Sequence, residues 1–213
     1  NTGGANTLIG SQAGDAITAG TTNPLVGFQT GTYQNDIITG TANIIVGAYS
    51  TGTSDSANDQ HGFGYNLDCA ANFTTLGAGT SDSRLAHGGT TWATISDERY
   101  KKDIVDSTAG LAFINALKPR TFNYKNKGEL PDTFRAYEED SSEVFKSEQT
   151  QHGFIAQEVK EAIDADSGIA DGFKMWAERD DGSQEVGEAA LIPMLVKAIQ
   201  ELSAQVTALQ AEV

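Results

Sequence analysis

The sequence predicts two fold classes in one chain. The N-terminal part reads as an all-β repeat of stacked turns, a β-roll or β-solenoid. The C-terminal part reads as an α+β domain that ends in a short coiled coil. Three observations predict this. Apolar pentads closed by glycine recur as "NTLIG" (Asn6–Gly10), "NPLVG" (Asn23–Gly27) and "NIIVG" (Asn43–Gly47). The texture changes at "ISDERYKKDI", Ile95 to Ile104, from Gly/Thr/Ser/Asn-rich to charged and helix-prone. The last residues carry an apolar seam with heptad spacing. The expected boundaries are 1–95, 96–190 and 191–213.

The pentads start 17 and then 20 residues apart, with "DAITAG" (Asp15–Gly20) and "NDIITG" (Asn35–Gly40) between them. The unit is two short apolar strands, each closed by Gly or Asn/Gly, which tolerate tight corners. Ile, Val and Thr favour strands. A unit this small cannot bury its own core, so copies must stack. One chain still offers a thin core, which favours association with further copies. From Thr53 to Thr94 the pattern loosens into short strands and turns. His61, Cys69 and His87 match no metal-site spacing and read as scattered loop residues.

The middle reads as a helix over about Thr108–Leu117, then a strand over Thr121–Tyr124 after Pro119. Residues 126–150, with "EEDSSE" at 138–143, read as a solvated loop. "HGFIAQEVKEAID" (His152–Asp164) gives a short strand running into a helix. "IADGFKMWAERDDGSQEV" suggests strands around an Asp-Gly turn. At the end, Ile192, Leu195, Ile199, Leu202, Val206, Leu209 and Val213 alternate spacings of 3 and 4. Ile or Val occupies a and Leu occupies d, and Pro193 fits only the helix start. This seam is too narrow for a globular core and points to self-association through parallel helices. The residue choice by itself leans toward two strands.

The formal charge is −15. Six Asp and one Arg lie in residues 1–95, and 23 acidic against 13 basic residues lie in 96–213. Such a balance argues against nucleic-acid binding. No apolar run reaches the length of a membrane span. The single Cys69 excludes an internal disulfide and a multi-cysteine zinc site, and no cofactor is expected. The chain starts at Asn1 without Met, as a fragment or processed product would.

"SDERYKKDI" resembles the S-D-x-R-x-K-x-x-I opening of the C-terminal intramolecular chaperone domain of phage tailspikes and tail fibres, the endosialidase-type, self-cleaving peptidase S74 family. "LKPRTFNYK", "HGFIAQEVKEAI" and "LIPMLVKAIQEL" follow in that family's order across residues 96–213. The Gly-rich repeat, over roughly residues 1–52, resembles the Asn/Gly-rich β-roll segments of trimeric phage fibres and bacterial adhesins. The resemblance implies a homotrimeric fibre whose helper domain assembles it and then cuts the Ile95–Ser96 bond. It implies Ser96 as nucleophile, Lys101 as its base, and Asp97 and Arg99 as supports. It further implies a virion location, release of the helper into the host cytoplasm, and a saccharide or protein receptor on the host surface. Two departures stand out. Glu188 lies where the family usually has an aromatic residue, and Tyr100 replaces the usual Leu.

The residues permit that chemistry. No His lies near Ser96 in sequence, and a lysine serves as base once burial or cationic neighbours, here Arg99 and Lys102, strip its proton. A serine directly after the scissile bond can attack it intramolecularly or from a neighbouring chain. Backbone N–H groups are the default oxyanion donors. Taken alone, S-x-x-x-x-K carries little weight, since Ser96 is also a natural helix cap. His152 reads as a structural hydrogen-bonder rather than a catalyst, and Gln157 and Glu158 as the start of a helix that sets packing or subunit contacts. Two alternatives remain: a non-cleaving fibre tip with a permanent trimeric cap, and a Ser/Lys hydrolase acting on other molecules.

Overall fold

The computed structural model describes residues 3–169 and 173–212. It forms two compact units, Asn1–Lys102 and Asp103–Val213. The first is a β-solenoid of about four turns. Its strands are β1 (Thr7–Ile9), β2 (Pro24–Val26), β3 (Ile44–Val46), β4 (Thr51–Gly52), β5 (Gln60–Tyr65), β6 (Asp68–Cys69), β7 (Phe73–Ala78), β8 (Ser81–Ala86) and β9 (Trp92–Ala93). β1, β2, β3, β5 and β7 stack in parallel, and β8 and β9 complete the same sheet antiparallel. β4 and β6 pair in parallel in a second, short sheet.

The first four turns are locked in sequence by asparagine side-chain amides. Asn6 Oδ1 accepts the Asn23 backbone N–H at 3.0 Å, Asn23 Oδ1 accepts that of Asn43 at 3.0 Å, and Asn43 Oδ1 accepts that of Gln60 at 3.1 Å. The side-chain amides donate in turn to Gly20, Gly40 and Ala57 carbonyls at 2.9–3.0 Å. Asn23 and Asn43 are fully buried. A parallel strand stack of three-residue strands has few ladder bonds of its own, so these side chains satisfy groups that a corner leaves open.

Beside this ladder runs a column of glycines. Gly10, Gly27, Gly47, Gly64 and Gly77 hold φ between +128° and +152°. A Cβ at Gly47 would collide with the carbonyl oxygen of Gly64, and one at Gly64 with that of Gly77. Only glycine serves where backbones approach so closely. The column also corrects the expectation that the pattern loosens after Thr53. The repeat continues through β5 and β7, with later steps of 17 and 13 residues. Gln60 replaces the asparagine there, and Gly64 and Gly77 keep the corner. The interior is thin, as expected: Ile17, Leu25, Ile37, Ile45, Leu67 and Cys69 form its apolar cluster.

The second unit is α+β. α1 (Leu111–Ala116), α2 (Ala156–Ala165) and α3 (Ile192–Ala211) accompany hairpins β10/β11 (Arg120–Phe122 with Gln151–Gly153) and β12/β13 (Trp176–Glu178 with Gln184–Val186). Ala109, Phe113, Leu117, Val159, Ala162 and Met175 are buried together with Leu191. α1 starts later than Thr108 because its end is fixed from outside the local sequence. Glu201 Oε2 of α3 accepts the Leu111 N–H at 2.8 Å, and an acidic group favours a helix N-terminus. β10 lies one to two residues earlier than expected, set by its pairing with β11. The Asp-Gly turn is present, with Gly182 at φ +79°. Ala170–Gly172 of the expected strand segment lie outside the described residues. Pro193 sits in the first turn of α3.

Replacing Asn43 with Ala should test the ladder. It strands the Gln60 N–H and the Ala57 carbonyl inside the solenoid, which costs about 2–4 kcal/mol. The expected result is a correspondingly lower midpoint in chemical unfolding followed by the β signal. A loss below about 0.5 kcal/mol would show that the ladder is not what holds the turns.

Candidate active site

β9 ends at Ala93, and Thr94, Ile95 and Ser96 follow outside any regular element. Asp97 then caps a short 3₁₀ turn, Glu98–Tyr100, which ends at Lys101. Tyr100 N–H bonds back to the Asp97 carbonyl at 3.1 Å and Lys101 N–H to that of Glu98 at 2.8 Å. This reversal brings the two ends of the motif together. Lys101 Nζ donates to Ser96 Oγ at 2.7 Å.

Asp97 and Arg99 brace the turn from its outer side. Asp97 Oδ1 accepts the Arg99 backbone N–H at 2.8 Å and Arg99 Nε at 2.9 Å, and Oδ2 accepts Nη2 at 2.7 Å. The planar guanidinium fork matches the carboxylate in two places, which fixes orientation as well as attraction. The Arg99 side chain is 86% exposed, so the pair adds little to global stability. It holds the Asp97 carboxyl below the usual carboxylate range, through the side-chain hydrogen bonds first and the backbone one second.

Every group around the hydroxyl faces solvent in the single chain. Ser96 and Lys101 are exposed. So are two bulky apolar neighbours, Ile95 at 43% and Tyr100 at 73%. In the contact with Ser96 Oγ the lysine amine is the donor. Covering the site disfavours the charged form and would let the bond reverse, with Oγ donating to a neutral amine.

The other sequence-predicted residues fall into place around different tasks. Six residues of the seam, Ile192, Leu195, Ile199, Leu202, Val206 and Leu209, are 41–64% exposed along α3. Val213 lies outside the described residues. The opposite face of α3 carries buried Ala198 and the capping Glu201, so the helix does not use its seam to cover its own domain. Beyond Glu201 every described residue of the helix is exposed. Glu158 ties α2 to β10 through a two-pronged pair with Arg120. Lys127 gathers Glu138 and Glu143 of the acidic loop at 3.0 and 2.8 Å. His152 is exposed on β11 and borders a cleft of about 870 Å³ with Phe122, Tyr124, Phe154 and Glu188.

The sequence reading missed one pairing. His61 is not a loop residue: it lies on β5, and its ring meets that of His87 at a tilt of 41°, with centroids 4.4 Å apart. Their separation of 26 residues gave no local signal; only the strand register unites them. Burial, then the nearby His87, lowers the pKa of His61, with Asp59 opposing. Cys69 lies apart in the core, where burial pushes its thiol up to about 12. Among the described residues no three His, Cys, Asp or Glu side chains gather as metal ligands.

Residues 96–167 match the family model described as chaperone of endosialidase, a peptidase family named S74. The match spans 72 of the 213 residues and supports a C-terminal intramolecular chaperone domain. The family implies autoproteolytic peptidase activity in general and suggests trimeric assembly and a virion location. No curated protein and no solved structure matches the chain. Among the described residues, no helix is long and apolar enough to cross a membrane.

The brace has a titration signature. A carboxyl with a lowered folded-state pKa contributes fully above the ordinary carboxylate range and loses its contribution as pH falls through the lowered value. Arg99→Ala removes the largest cause of that lowering. The Asp97 carboxyl should then titrate at higher pH than in the wild type, read by carboxyl NMR. An unchanged midpoint would mean that the fork does not persist in solution.

Proposed function

We propose, from the premise of a C-terminal endosialidase-type chaperone domain, that this chain is the end of a homotrimeric phage tail fibre that assembles and then cuts itself at Ile95–Ser96. The observation that carries this reading is the 2.7 Å contact between Lys101 Nζ and Ser96 Oγ, at the residue where the family match begins. Residues 1–95 are then fibre, 96–190 the helper, and 191–213 its assembly helix. The fibre part would meet a host-surface saccharide or protein. The helper part would be released into the host cytoplasm.

The reaction follows from the atoms present. Ser96 Oγ attacks the carbonyl carbon of Ile95 while its proton passes to a neutral Lys101 Nζ. The C–N bond breaks as Lys101 returns that proton to the departing nitrogen of Ser96. The Ile95 acyl group is left as an ester on Oγ, with a free amine on Ser96. Water hydrolyses the ester to the Ile95 carboxylate and the Ser96 hydroxyl. Adjacency of hydroxyl and scissile carbonyl substitutes for much of the ordering a separate enzyme must impose. The neutral lysine is the demanding requirement. Another copy packed over Ile95 and Tyr100 would exclude water from it, which couples cutting to assembly.

The α3 seam is the natural organiser of that assembly. A helix whose last turns touch nothing of their own domain is marginal alone and gains its stability from a partner. Three thin repeats must also start in register, because a slip of one turn preserves nearly the same contacts. A helper that gathers the chains first fixes count and register. Its removal leaves the fibre held by its unfolding barrier. A second reading, the permanent trimeric cap, is favoured by the open, solvated setting of Ser96 and Lys101.

Intact mass and gel analysis after expression separate the two. The expected products are fragments of 95 and 118 residues. They should be absent, with the rate reduced at least ~1000-fold, in Ser96→Ala and in Lys101→Met. A wild-type chain that stays whole supports the cap.

Light scattering tests the seam. The double variant Ile199→Asp, Leu202→Asp should be a monomer with the helix content of α1 and α2 retained, since both side chains are exposed. A variant that keeps the wild-type mass would remove α3 from the assembly.

A further inference from the structure

We propose that His61 and His87 form a two-imidazole clamp for a late divalent transition ion, of the Cu²⁺, Ni²⁺ or Zn²⁺ class, at the end of the solenoid. The clamp lies wholly within residues 1–95 and does not depend on cutting at Ile95–Ser96.

Strand register brings the two residues together. His61 on β5 pairs with Thr74 on β7, and Thr74 pairs with Leu85 on β8. His87 lies two residues after Leu85, so its side chain leaves the sheet on the face shared by Leu85 and His61. Its backbone N–H donates to the Asn72 carbonyl at 2.9 Å, which keeps it in line with β8 beyond Ala86. The backbones of β5 and β8 are two strand spacings apart, roughly 9.5 Å. The side chains close that gap above β7, where the ring centroids come within 4.4 Å.

Imidazole is the commonest protein ligand for ions of this class. Two imidazoles at about 2.0–2.1 Å from one ion hold their ligating nitrogens roughly 3 Å apart. Rings with centroids 4.4 Å apart reach that separation by side-chain rotation alone. Among the described residues, the one polar partner of either ring is Thr74, whose Oγ lies 3.5 Å from His61 Nδ1. A partner on one ring nitrogen is how a metal-ligating histidine is oriented. It leaves His61 Nε2 and both nitrogens of His87 to face an ion. His87 is exposed and His61 half-buried, so water can complete the coordination. Asp59 is near enough to act on His61, and its carboxylate offsets part of the charge of a bound cation. Hard ions such as Mg²⁺ prefer oxygen ligands and do not fit this pair. A bound ion ties β5 to β8 across β7, where parallel stacking gives way to antiparallel pairing. It would clip the last turn of the solenoid, because a ligand of the folded form alone stabilises that form.

The test uses the full chain without an affinity tag and three variants: His61→Ala, His87→Ala and, as control, His152→Ala, which removes the third histidine of the sequence. The probes are CuCl₂, ZnCl₂ and MgCl₂. Three properties are read: affinity by calorimetric titration, the electron paramagnetic resonance spectrum of bound Cu²⁺, and the thermal midpoint of the β signal. The wild type and His152→Ala should bind one Cu²⁺ per chain with two nitrogen ligands in the spectrum. They should bind Zn²⁺ more weakly, as the order of divalent-ion affinities requires, ignore Mg²⁺, and unfold at a higher temperature with Cu²⁺ present. His61→Ala and His87→Ala should each lose the two-nitrogen spectrum and bind at least ~10-fold more weakly, since one ring alone has no chelate gain. If His61→Ala loses the β signal, His87→Ala decides by itself, because that side chain is exposed. Wild-type affinity in His87→Ala, or a wild type without the two-nitrogen spectrum, overturns the inference. Neither result touches the dyad reading, because the rate of cutting is not among the measurements.

Discussion

The fold of the N-terminal unit depends on one constraint: every corner of the solenoid must satisfy buried backbone groups without room for a side chain. The asparagine ladder answers the first half. Asn6, Asn23 and Asn43 each accept the backbone N–H one turn on, and each donates to a carbonyl that would otherwise be orphaned. The glycine column answers the second half, because the carbonyl of the next turn occupies the space of a Cβ. Apolar burial in so thin an interior is small, so hydrogen-bond geometry sets the register more than packing does.

The junction obeys a different logic. Its geometry is local: one 3₁₀ turn, one aspartate cap and one arginine fork place the lysine against the serine. Its setting is open, because Ser96 and Lys101 both face solvent. Placement is encoded in six residues, and the proposed activation is left to whatever excludes water from them. That proposal also accounts for the two apolar neighbours, Ile95 and Tyr100, that the single chain leaves in solvent. The seam of α3 leans by composition toward two strands, whereas the family suggests three.

Much of this was legible in the sequence. The pentads reported the solenoid because glycine and asparagine sit where the backbone permits little else. The heptad seam reported a helix with an unpartnered face because alternation of 3 and 4 has one geometric meaning. The expectation of a dyad came from a resemblance, since serine and lysine five apart carry almost no information by themselves; the structure adds only their contact. What stayed hidden was set by register or by distant partners. β5 and β7 lost the asparagine signature at Gln60 and Phe73, so the repeat seemed to fade at Thr53. The start of α1 is fixed by Glu201, 90 residues away. The His61–His87 contact exists only once strands are aligned.

The central claim is that Lys101 activates Ser96 only when copies have closed around it. The most direct measurement is the first-order rate of fragment formation by intact mass, across a dilution series spanning the transition from assembled to single chains. The account expects a constant rate in the assembled range that collapses with the assembled fraction. A single chain that cuts as fast as the assembly, or an assembly that stays whole for days, would contradict it.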